Sequence, residues 1–460
     1  MANTYLSRTL GTPTSSKIGT LSWWQKGATT NTTQYILACE SGSERLLWYM
    51  TSGKFQGGLR GSSGSPDIDF TLTNTPRFRD PNMWYHCVLS WDSSQGTAAD
   101  RIKFYVNSTE YTVTGNASIP QDHTMPMNKS GLPFRIGSTI AGGSYFVGSM
   151  SHMHFIDGIR YAPTTFGSTD STTGEWKIND DPSGITYGNN GFWWLKNTNA
   201  LTDSSPNSNT PTQSGAGLTL TQDNPSNSFA TFDTLRHSGS DYSYGNTHAL
   251  TVSGTYASRP TYSSLGMQSG KYYAEIKVEA PNTGSPGYAL IGITGRNVPN
   301  ITGGEQYVHL GSQSQDYAVF AYNGNMMNNT GSSNNGSAYA ATYTTNDIIG
   351  IAVDLANNKL YFSKNGAWAN GSGAWGSSTF DAAVGAITIA APTTTQERFY
   401  FFGVDAYHYT PRYNFAANFG NGFFNSTAIT SEGTNASGIG LFEYDVPSGF
   451  TALSTKGLNS

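Results

Sequence analysis

The chain has 460 residues, more than one ordinary hydrophobic core organises, so we expect roughly two to three domains. Only 12% of the residues are charged, about half of the roughly 25% found in average soluble proteins, and the net charge is -5. A nucleic-acid partner is therefore not expected, because binding to phosphates needs clustered Lys and Arg, and no cluster is visible.

The sequence begins with MANTYLSRTLGTPTSS, which lacks the basic segment and apolar core of a secretion signal. Elsewhere no segment approaches the roughly 18 consecutive apolar residues of a membrane-spanning helix. We therefore expect synthesis in a cytoplasm and no membrane insertion. Release from a cell would then need another route, such as host lysis.

Short alternating runs separated by Gly, Asn, Ser and Pro clusters recur along the chain, whereas long amphipathic helical patterns are nearly absent. This pattern predicts an all-β protein. In the first segment, residues 1–165, Trp84–Trp91 indicates one strand and Arg101–Val106 its hairpin partner. Side chains alternate between the faces of a strand, so Cys87 is expected to share a core face with Trp91.

The chain contains two cysteines, Cys39 and Cys87. Cytoplasmic synthesis disfavours a disulfide between them, and buried free thiols are common. The sequence leaves open whether the two pair, because connectivity does not follow from composition.

The strand pair of the first segment resembles the concanavalin A-like, laminin G-like jelly roll, in which W-Y-H-x-V and V-K-L-Y-V-N-G form the middle of the sandwich. Trp84–Trp91 and Arg101–Val106 carry the matching residues, and Ser108 stands where the family often has Gly. The resemblance implies that residues 1–165 fold as an antiparallel β-sandwich with a rearranged second turn.

Residues 166–222 differ in character, with aromatic residues set among Gly, Asn, Ser and Thr. Trp176, Trp193 and Trp194 are followed by LKNTNALTDSSPNSNTPTQSG, a stretch rich in loop-forming residues. We therefore expect an aromatic-rich connector, and a division into two independently folded units near residues 200–225.

The last segment, residues 223–460, contains a β-meander. Two strand-like runs, Ile348–Leu355 and Lys359–Ser363, are followed by Asn365-Gly366, a dipeptide suited to a tight turn with positive φ. The run resembles the SPRY signature G-x-A-x-D-x-x-x-x-x-L-x-F-x-x-N-G-x-W. The matching residues are Gly350, Ala352, Asp354, Leu360, Phe362, Asn365, Gly366 and Trp368. This resemblance implies a second antiparallel β-sandwich, in series with the first, and a role in binding rather than chemistry.

A wider resemblance covers nearly the whole chain. Phe166-Gly167, Gly191-Phe192 and DNPSNSFAT at 223–231 look like parts of bacteriophage virion proteins that join a laminin G-like domain to a SPRY domain. The ending is similar too, with ANFG at 417–420 and PSGF at 447–450. The resemblance implies a structural virion protein, made in the host cytoplasm and exposed on the particle surface.

The implied function is that of a tail fibre or receptor-binding adhesin, which engages a bacterial surface glycan or protein without catalysis. Its partners would be other virion proteins and the host-cell surface, and a homo-oligomer would raise avidity by linking weak sites. Two alternatives stay open: a capsid decoration or head-fibre protein, and a glycoside hydrolase.

A glycoside hydrolase of the retaining kind needs two carboxylates about 5 Å apart, which jelly-roll families supply from a strand reading E-x-D-x-x-E. The sequence has no such run, and the pairs Asp67 with Asp69 and Asp180 with Asp181 lack matching partners. We therefore expect no enzymatic activity, since a fold does not by itself imply its commonest activity.

The sequence leaves metal binding unassigned. His152 and His154 alternate along a strand at a spacing that suits zinc or nickel, but no third ligand is evident nearby. Asp92, Asp100 and Asp157 are candidate calcium donors without a spacing that compels the assignment. No cofactor is expected, and calcium stays an open alternative.

The candidate ligand-binding residues are aromatic side chains in polar loops. Trp375 lies in NGSGAWGSS, and Tyr407, His408 and Tyr409 lie in AYHYTPRY, contexts too polar for buried strands. Rings of this kind stack on the apolar faces of sugars. The alternative is that Trp375 plugs the end of the sandwich and the tyrosines pack against it.

Overall fold

The computed structural model describes residues 4–459, apart from 28–31, 43, 61–67, 74–75, 77, 79, 116–118, 197–199, 216–217, 236–239, 252–259, 280–285, 296–308, 331–335, 393–398 and 407–412. The described residues form antiparallel β-sheets, and their helices are short 3-10 turns of three residues. Within the same residues, no helix is long and apolar enough to cross a membrane. The predicted all-β class is confirmed.

The chain divides into two compact units. The first comprises Met1–Leu220 with Asn224–Ser226, and the second comprises Thr221–Asp223 with Asn227–Ser460.

The described residues of the first unit form sixteen strands, most of them in two large sheets. They are β1 (Tyr5–Thr9), β2 (Ile18–Gly27), β3 (Gln34–Ser41), β4 (Glu44–Thr51), β5 (Lys54–Arg60), β6 (Ile68–Leu72), β7 (Tyr85–Asp92), β8 (Ile102–Val106), β9 (Thr109–Tyr111), β10 (Val113–Thr114), β11 (Pro133–Ile136), β12 (Gly148–Asp157), β13 (Gly167–Thr169), β14 (Trp176–Ile178), β15 (Phe192–Trp194) and β16 (Thr212–Ser214). One sheet has the order β10-β6-β5-β4-β3-β11-β1-β16 and the other β15-β12-β2-β7-β8-β9, while β13 and β14 pair separately.

The core of the first unit lies between these sheets. Cys87 and Trp91 of β7 are fully buried, as their alternation predicts. The ring of Phe104 on the six-stranded sheet lies 5.1 Å from that of Trp48 on the eight-stranded sheet, so aromatic packing joins the two layers. Cys39 and Cys87 are free and buried, and burial raises the pKa of both thiols.

Residues 166–222 contribute strands to the same sheets. β15 pairs with β12 and places Trp194 in the core, and β16 pairs with β1 at the sheet edge. The indole N–H of Trp194 donates to the carbonyl of Asn209 at 2.7 Å, which ties the loop between these strands to the first unit.

In the part of the second unit that the structure describes there are also sixteen strands, most of them in two sheets. They are β17 (Asp241–Ser243), β18 (His248–Leu250), β19 (Thr261–Tyr262), β20 (Lys271–Glu279), β21 (Ala289–Thr294), β22 (Asp316–Phe320), β23 (Met326–Met327), β24 (Ile348–Asp354), β25 (Lys359–Lys364), β26 (Ala367–Trp368), β27 (Ile387–Thr388), β28 (Phe401–Ala406), β29 (Asn414–Asn418), β30 (Phe423–Phe424), β31 (Thr427–Ala428) and β32 (Thr451–Ala452). The larger sheet runs β17-β18-β29-β20-β24-β25-β26, with β27 on β25 and β32 on β20. The smaller sheet runs β19-β28-β21-β22-β23, and β30 pairs with β31.

The predicted meander forms one end of the larger sheet, next to β20. β24 and β25 are antiparallel, and the hairpin to β26 turns at Asn365 and Gly366, whose φ angles are 49° and 81°. Both turn residues therefore have the positive φ that an Asn-Gly hairpin turn requires, and the predicted turn is confirmed. Ile276 of β20 and Ile351 of β24 face the core that the two sheets of this unit enclose.

Candidate functional site

The two histidines considered as metal ligands, His152 and His154, are engaged in hydrogen bonds. A β-bulge between Ser151 and His154 interrupts the pairing of β12 with β2, and His152 there has a φ of 44°. Its Nδ1 lies 2.7 Å from the Ser151 hydroxyl, and Nδ1 of His154 lies 2.9 Å from the Tyr187 hydroxyl. Burial lowers the pKa of His152 to about 4 and that of His154 well below its usual range, so both rings are neutral near pH 7.

A third histidine, His86, occupies the same face of the six-stranded sheet. The indole Nε1–H of Trp176 donates to its Nδ1 at 3.0 Å, and its Nε2 lies 2.8 Å from the Ser22 hydroxyl. An indole N–H only donates, so Nδ1 is the accepting nitrogen and the proton sits on Nε2. Burial lowers the pKa of His86 to about 3. The segment that carries Trp176 thus closes this face.

Asp157, one of the carboxylates considered for calcium, is engaged with hydrogen-bond donors. Asp157 accepts backbone N–H bonds from Thr14, Ser15 and Asn190, at 2.7 to 3.0 Å, and a side-chain N–H bond from Asn128 at 2.6 Å. These contacts hold the chain at one end of the sandwich, so Asp157 acts as a structural acceptor.

Three more of the acidic residues considered in the sequence are also engaged, whereas Asp67 lies outside the described residues. Asp92 accepts from the Ser94 hydroxyl at 2.6 Å, and Asp100 and Asp181 form ion pairs with Lys103 and Lys196 at 3.2 and 2.8 Å. Among the residues that the structure describes, no three His, Cys, Asp or Glu side chains converge as a metal site.

Trp375 lies in a short closed loop of the second unit. The Asn370 side chain accepts backbone N–H bonds from Ser372 at 2.8 Å and Ala374 at 3.1 Å, which fixes the loop. The half-buried Trp375 ring packs against the main core, and its indole N–H donates to the Thr342 carbonyl at 3.3 Å. The other predicted binding residues, Tyr407, His408 and Tyr409, lie outside the described residues.

Lys364 connects Trp375 to the neighbouring loops. Its ammonium group donates to the same Thr342 carbonyl at 3.3 Å and lies 6.0 Å from the centroid of the Trp375 ring. It also lies 3.9 Å from the Asp347 carboxylate. The cation is therefore held over an aromatic face at the surface, where cation–π attraction is worth roughly 0.5–1 kcal/mol.

Two stacked tyrosines that the sequence analysis did not identify lie on other loops of the second unit. Tyr322 is 57% exposed, and its ring stacks on that of Tyr288 at a centroid distance of 5.9 Å and an interplanar angle of 3°. Tyr322 directly precedes Asn323-Gly324, so an aromatic residue beside an Asn-Gly turn was the available signal.

Backbone hydrogen bonds bring the two aromatic groups to one end of the sandwich. The Ala340 amide donates to the Gly324 carbonyl at 3.0 Å, and the Gly373 amide to the Tyr339 carbonyl at 3.2 Å. The loops that carry Tyr322 and Trp375 therefore flank the same segment. We call the surface made by Tyr288, Tyr322, Lys364 and Trp375 the loop surface.

The loop surface offers two kinds of contact. Its rings present apolar faces, and Lys364 supplies a positive charge. Acid–base or nucleophilic catalysis needs a titratable pair within hydrogen-bond reach, and these four side chains provide none. Their chemistry suits binding.

Two family models match the chain. Residues 2–164 match the concanavalin A-like lectin/glucanases superfamily, and residues 271–393 match the SPRY domain. The chain therefore carries a laminin G-like sandwich followed by a SPRY sandwich, and the predicted fold class is confirmed. Domains of these two kinds are typically non-catalytic binding modules.

Curated relatives were found among animal proteins. A Ran-binding proteins 9/10 homolog of Drosophila melanogaster is 33% identical over 97 residues, covering 21% of this chain and 9% of that protein. Ran-binding protein 9 of Homo sapiens is 32% identical over 99 residues, covering 21% of this chain and 12% of that protein. The chain thus spans about a tenth of these relatives' length.

Among solved structures, the SPRY domain of human HERC1 is 18% identical, with a TM-score of 0.28, over 40% of this chain and 96% of that one.

These relatives overturn the virion interpretation. They are animal proteins named for binding Ran, so the predicted tail-fibre function, capsid-decoration alternative, virion partners, host-cell glycan and virion location are wrong. The quoted motifs instead serve packing. Phe229, for example, is buried, and its amide donates to the Asp223 side chain at 3.0 Å. The residues of DNPSNSFAT therefore stabilise the sandwich.

Proposed function

We propose that this chain is a non-catalytic protein-interaction protein whose loop surface binds an extended segment of a partner protein. One observation carries the proposal. The exposed ring of Tyr322 is stacked on Tyr288, and the loops that carry Tyr322 and Trp375 are hydrogen-bonded to the same segment of the sandwich.

Aromatic exposure of this kind favours binding for an energetic reason. Tyr and Trp residues dominate binding energy at protein interfaces because they bury large areas at low cost in side-chain entropy. Tyr322 already loses part of its freedom by stacking, so a partner that covers it orders little more of the chain.

The nature of the relatives supports a protein partner. Proteins named Ran-binding proteins 9 and 10 share sequence with this chain, which makes Ran the first partner to test. The SPRY and laminin G-like domains, which typically bind rather than catalyse, support the absence of enzymatic activity.

The test is titration calorimetry on the purified full chain, with GDP- and GTP-loaded Ran and with peptides selected from a random-peptide display library as ligands. We expect saturable binding of Ran or a selected peptide, weakened about tenfold or more by Tyr322→Ala. Leu458→Ala is the matched control, because Leu458 is 36% exposed on a turn near the chain end.

Two results would contradict the proposal. One is that neither Ran nor any selected peptide binds. The other is that binding is unchanged in Tyr322→Ala, which would move the site away from the loop surface.

A further inference from the structure

A buried carboxylate lies at the centre of the larger sheet of the second unit. Glu275 of β20 is fully buried, with Asn418 of β29 opposite it on one side and Gly350 of β24 opposite it on the other. A Cβ at Gly350 would lie 2.7 Å from the Tyr273 hydroxyl and 2.3 Å from the Ser363 hydroxyl. Glycine at this position therefore leaves room for the Tyr273 hydroxyl beside Glu275.

Four donors converge on Glu275. The backbone amides of Glu443 and Tyr444 donate to it at 2.9 Å each, and the Tyr273 hydroxyl and the Asn418 side chain donate at 3.2 Å each. Each carboxylate oxygen accepts two of these bonds. Two of the four donors belong to a chain segment that crosses the sheet. Glu275 therefore holds that segment against the sheet through hydrogen bonds.

We call residues 441–450 the C-terminal strap. Its side chains Phe442, Val446 and Phe450 pack on the sheet face that carries Tyr273, forming an apolar layer outside the main core. Asn418, which donates to Glu275, also donates to the Leu441 carbonyl at 2.9 Å. The strap is therefore held by the burial of apolar side chains along its length and by the hydrogen bonds of residues 443 and 444 to Glu275.

The strap reaches the edge of the loop surface through Tyr444. A Cβ at Gly366 would lie 2.7 Å from the Tyr444 ring, so the ring sits directly on the Asn365-Gly366 turn. Asn365 is bonded to Ile348 through its amide and to Asp347 through its side chain, at 2.8 and 2.7 Å. The turn also follows Lys364, one of the four residues of the loop surface.

We propose that Glu275 is a positioning residue whose ionisation sets how firmly the C-terminal strap is held and, through Tyr444, the geometry of the Asn365-Gly366 turn beside the loop surface. Any effect of Glu275 on partner binding rests on the proposed function, whereas its coupling to the strap and the turn does not depend on it.

The physical basis is the burial of an acid among uncharged donors. Burial without a cation favours the neutral form, and it raises the pKa of Glu275 from 4.5 to about 7 against the opposing effect of its hydrogen bonds. The titratable side chains around it are Tyr273 and Tyr444, with Asp347 beyond Tyr444, whereas the Glu443 carboxylate accepts from the Thr430 amide. Burial raises the pKa of both phenols, so they stay neutral while Glu275 titrates.

The direction of the pH effect follows from the difference in the pKa of Glu275 between the closed and the open strap. A strap that lifts off exposes Glu275 to water, where its pKa returns towards 4.5, so the closed strap binds the proton more tightly than the open one. Closure is therefore most favoured below pH 4.5 and weakens as pH rises towards 7. The opening constant should rise about tenfold per pH unit in this window and level off above it.

Hydrogen exchange on the full chain tests the coupling without any partner. Exchange rates of the Glu443, Tyr444 and Asn365 amides, divided by their intrinsic rates at each pH, give the opening constants. We expect these constants to rise by about 80-fold between pH 4.5 and 7 in the natural sequence. Glu275→Gln should flatten the profile, and Glu443→Gln, a strap control, should keep it.

Three outcomes would overturn the proposal: a flat profile in the natural sequence, an unchanged profile in Glu275→Gln, or a profile at the strap amides that Asn365 does not share. Failure of Ran and the selected peptides to bind would instead refute the proposed function, and the exchange profile would distinguish the two.

Discussion

The ring of Tyr322 lies parallel to that of Tyr288, with centroids 5.9 Å apart. Tyr288 precedes β21 and Tyr322 follows β22, so the antiparallel pairing of these strands brings the rings together. The Tyr288 amide donates to the Tyr413 hydroxyl at 3.0 Å, which anchors the lower ring to the sandwich. The exposed ring therefore stands on a rigid support, as a binding surface requires.

Trp375→Ala should weaken both stability and partner binding, because the half-buried ring packs against the core while its exposed part belongs to the loop surface. We expect a loss of about 1–3 kcal/mol of unfolding free energy, measured by urea denaturation. Trp375→Phe is the matched control, which keeps a ring but loses the bond to Thr342, at a cost of about 1 kcal/mol. Unchanged stability in Trp375→Ala would show that the ring is free of the core.

Gly366→Ala should be more destabilising than Gly373→Ala. Both glycines have positive φ, 81° and 97°, so both substitutions incur backbone strain of about 1 kcal/mol. A Cβ at Gly366 also meets the Tyr444 ring, whereas nothing lies within 4 Å at Gly373. The difference in urea midpoint between the two variants measures the contact of the strap with the turn. Equal midpoints would mean that Tyr444 does not rest on Gly366.

Local patterns in the sequence predicted local structure well. The alternation around Cys87 and Trp91 and the Asn365-Gly366 turn depend on neighbouring residues, and the structure confirms both. The loop surface was predicted only through Trp375, because the stacking of Tyr322 on Tyr288 depends on strand pairing.

Glu275 shows why the remaining features lay beyond sequence reasoning. In YYAEIKVE a glutamate between apolar residues suggests a solvent-facing position. The C-terminal strap covers that face with residues far along the chain, and this long-range contact leaves no periodic signal. The virion interpretation failed for a related reason, since its motifs report sandwich packing and not where the protein works.

The first unit should lose stability in acid. The folded pKa of His86 is lowered from 6.5 to about 3, so its contribution is complete above pH 6.5 and is lost as pH falls towards 3. The loss should reach up to about 5 kcal/mol in urea denaturation across this range. His86→Gln can still accept from Trp176 and donate to Ser22 without titrating, so its acid sensitivity should be smaller. Identical acid sensitivity in this variant would exclude His86 as a cause.

Fragment 1–220 should fold on its own and be more stable than fragment 1–200. The longer fragment retains β16, which pairs with β1, and Asn209, which accepts from Trp194 and donates to the Asn189 carbonyl at 3.0 Å. We expect a cooperative thermal transition for 1–220, and for 221–460, by circular dichroism. If fragment 1–200 is as stable as fragment 1–220, the pairing of residues 212–214 with β1 does not contribute to the stability of the first unit.

The most direct test of the account is the affinity of the full chain for Ran or a library-selected peptide, compared with that of Tyr322→Ala and Leu458→Ala by titration calorimetry. The account predicts saturable binding that Tyr322→Ala weakens about tenfold or more, equivalent to about 1.4 kcal/mol, and that Leu458→Ala leaves within about twofold. Equal affinity of Tyr322→Ala and the natural sequence, or no binding of any of these ligands, would contradict it.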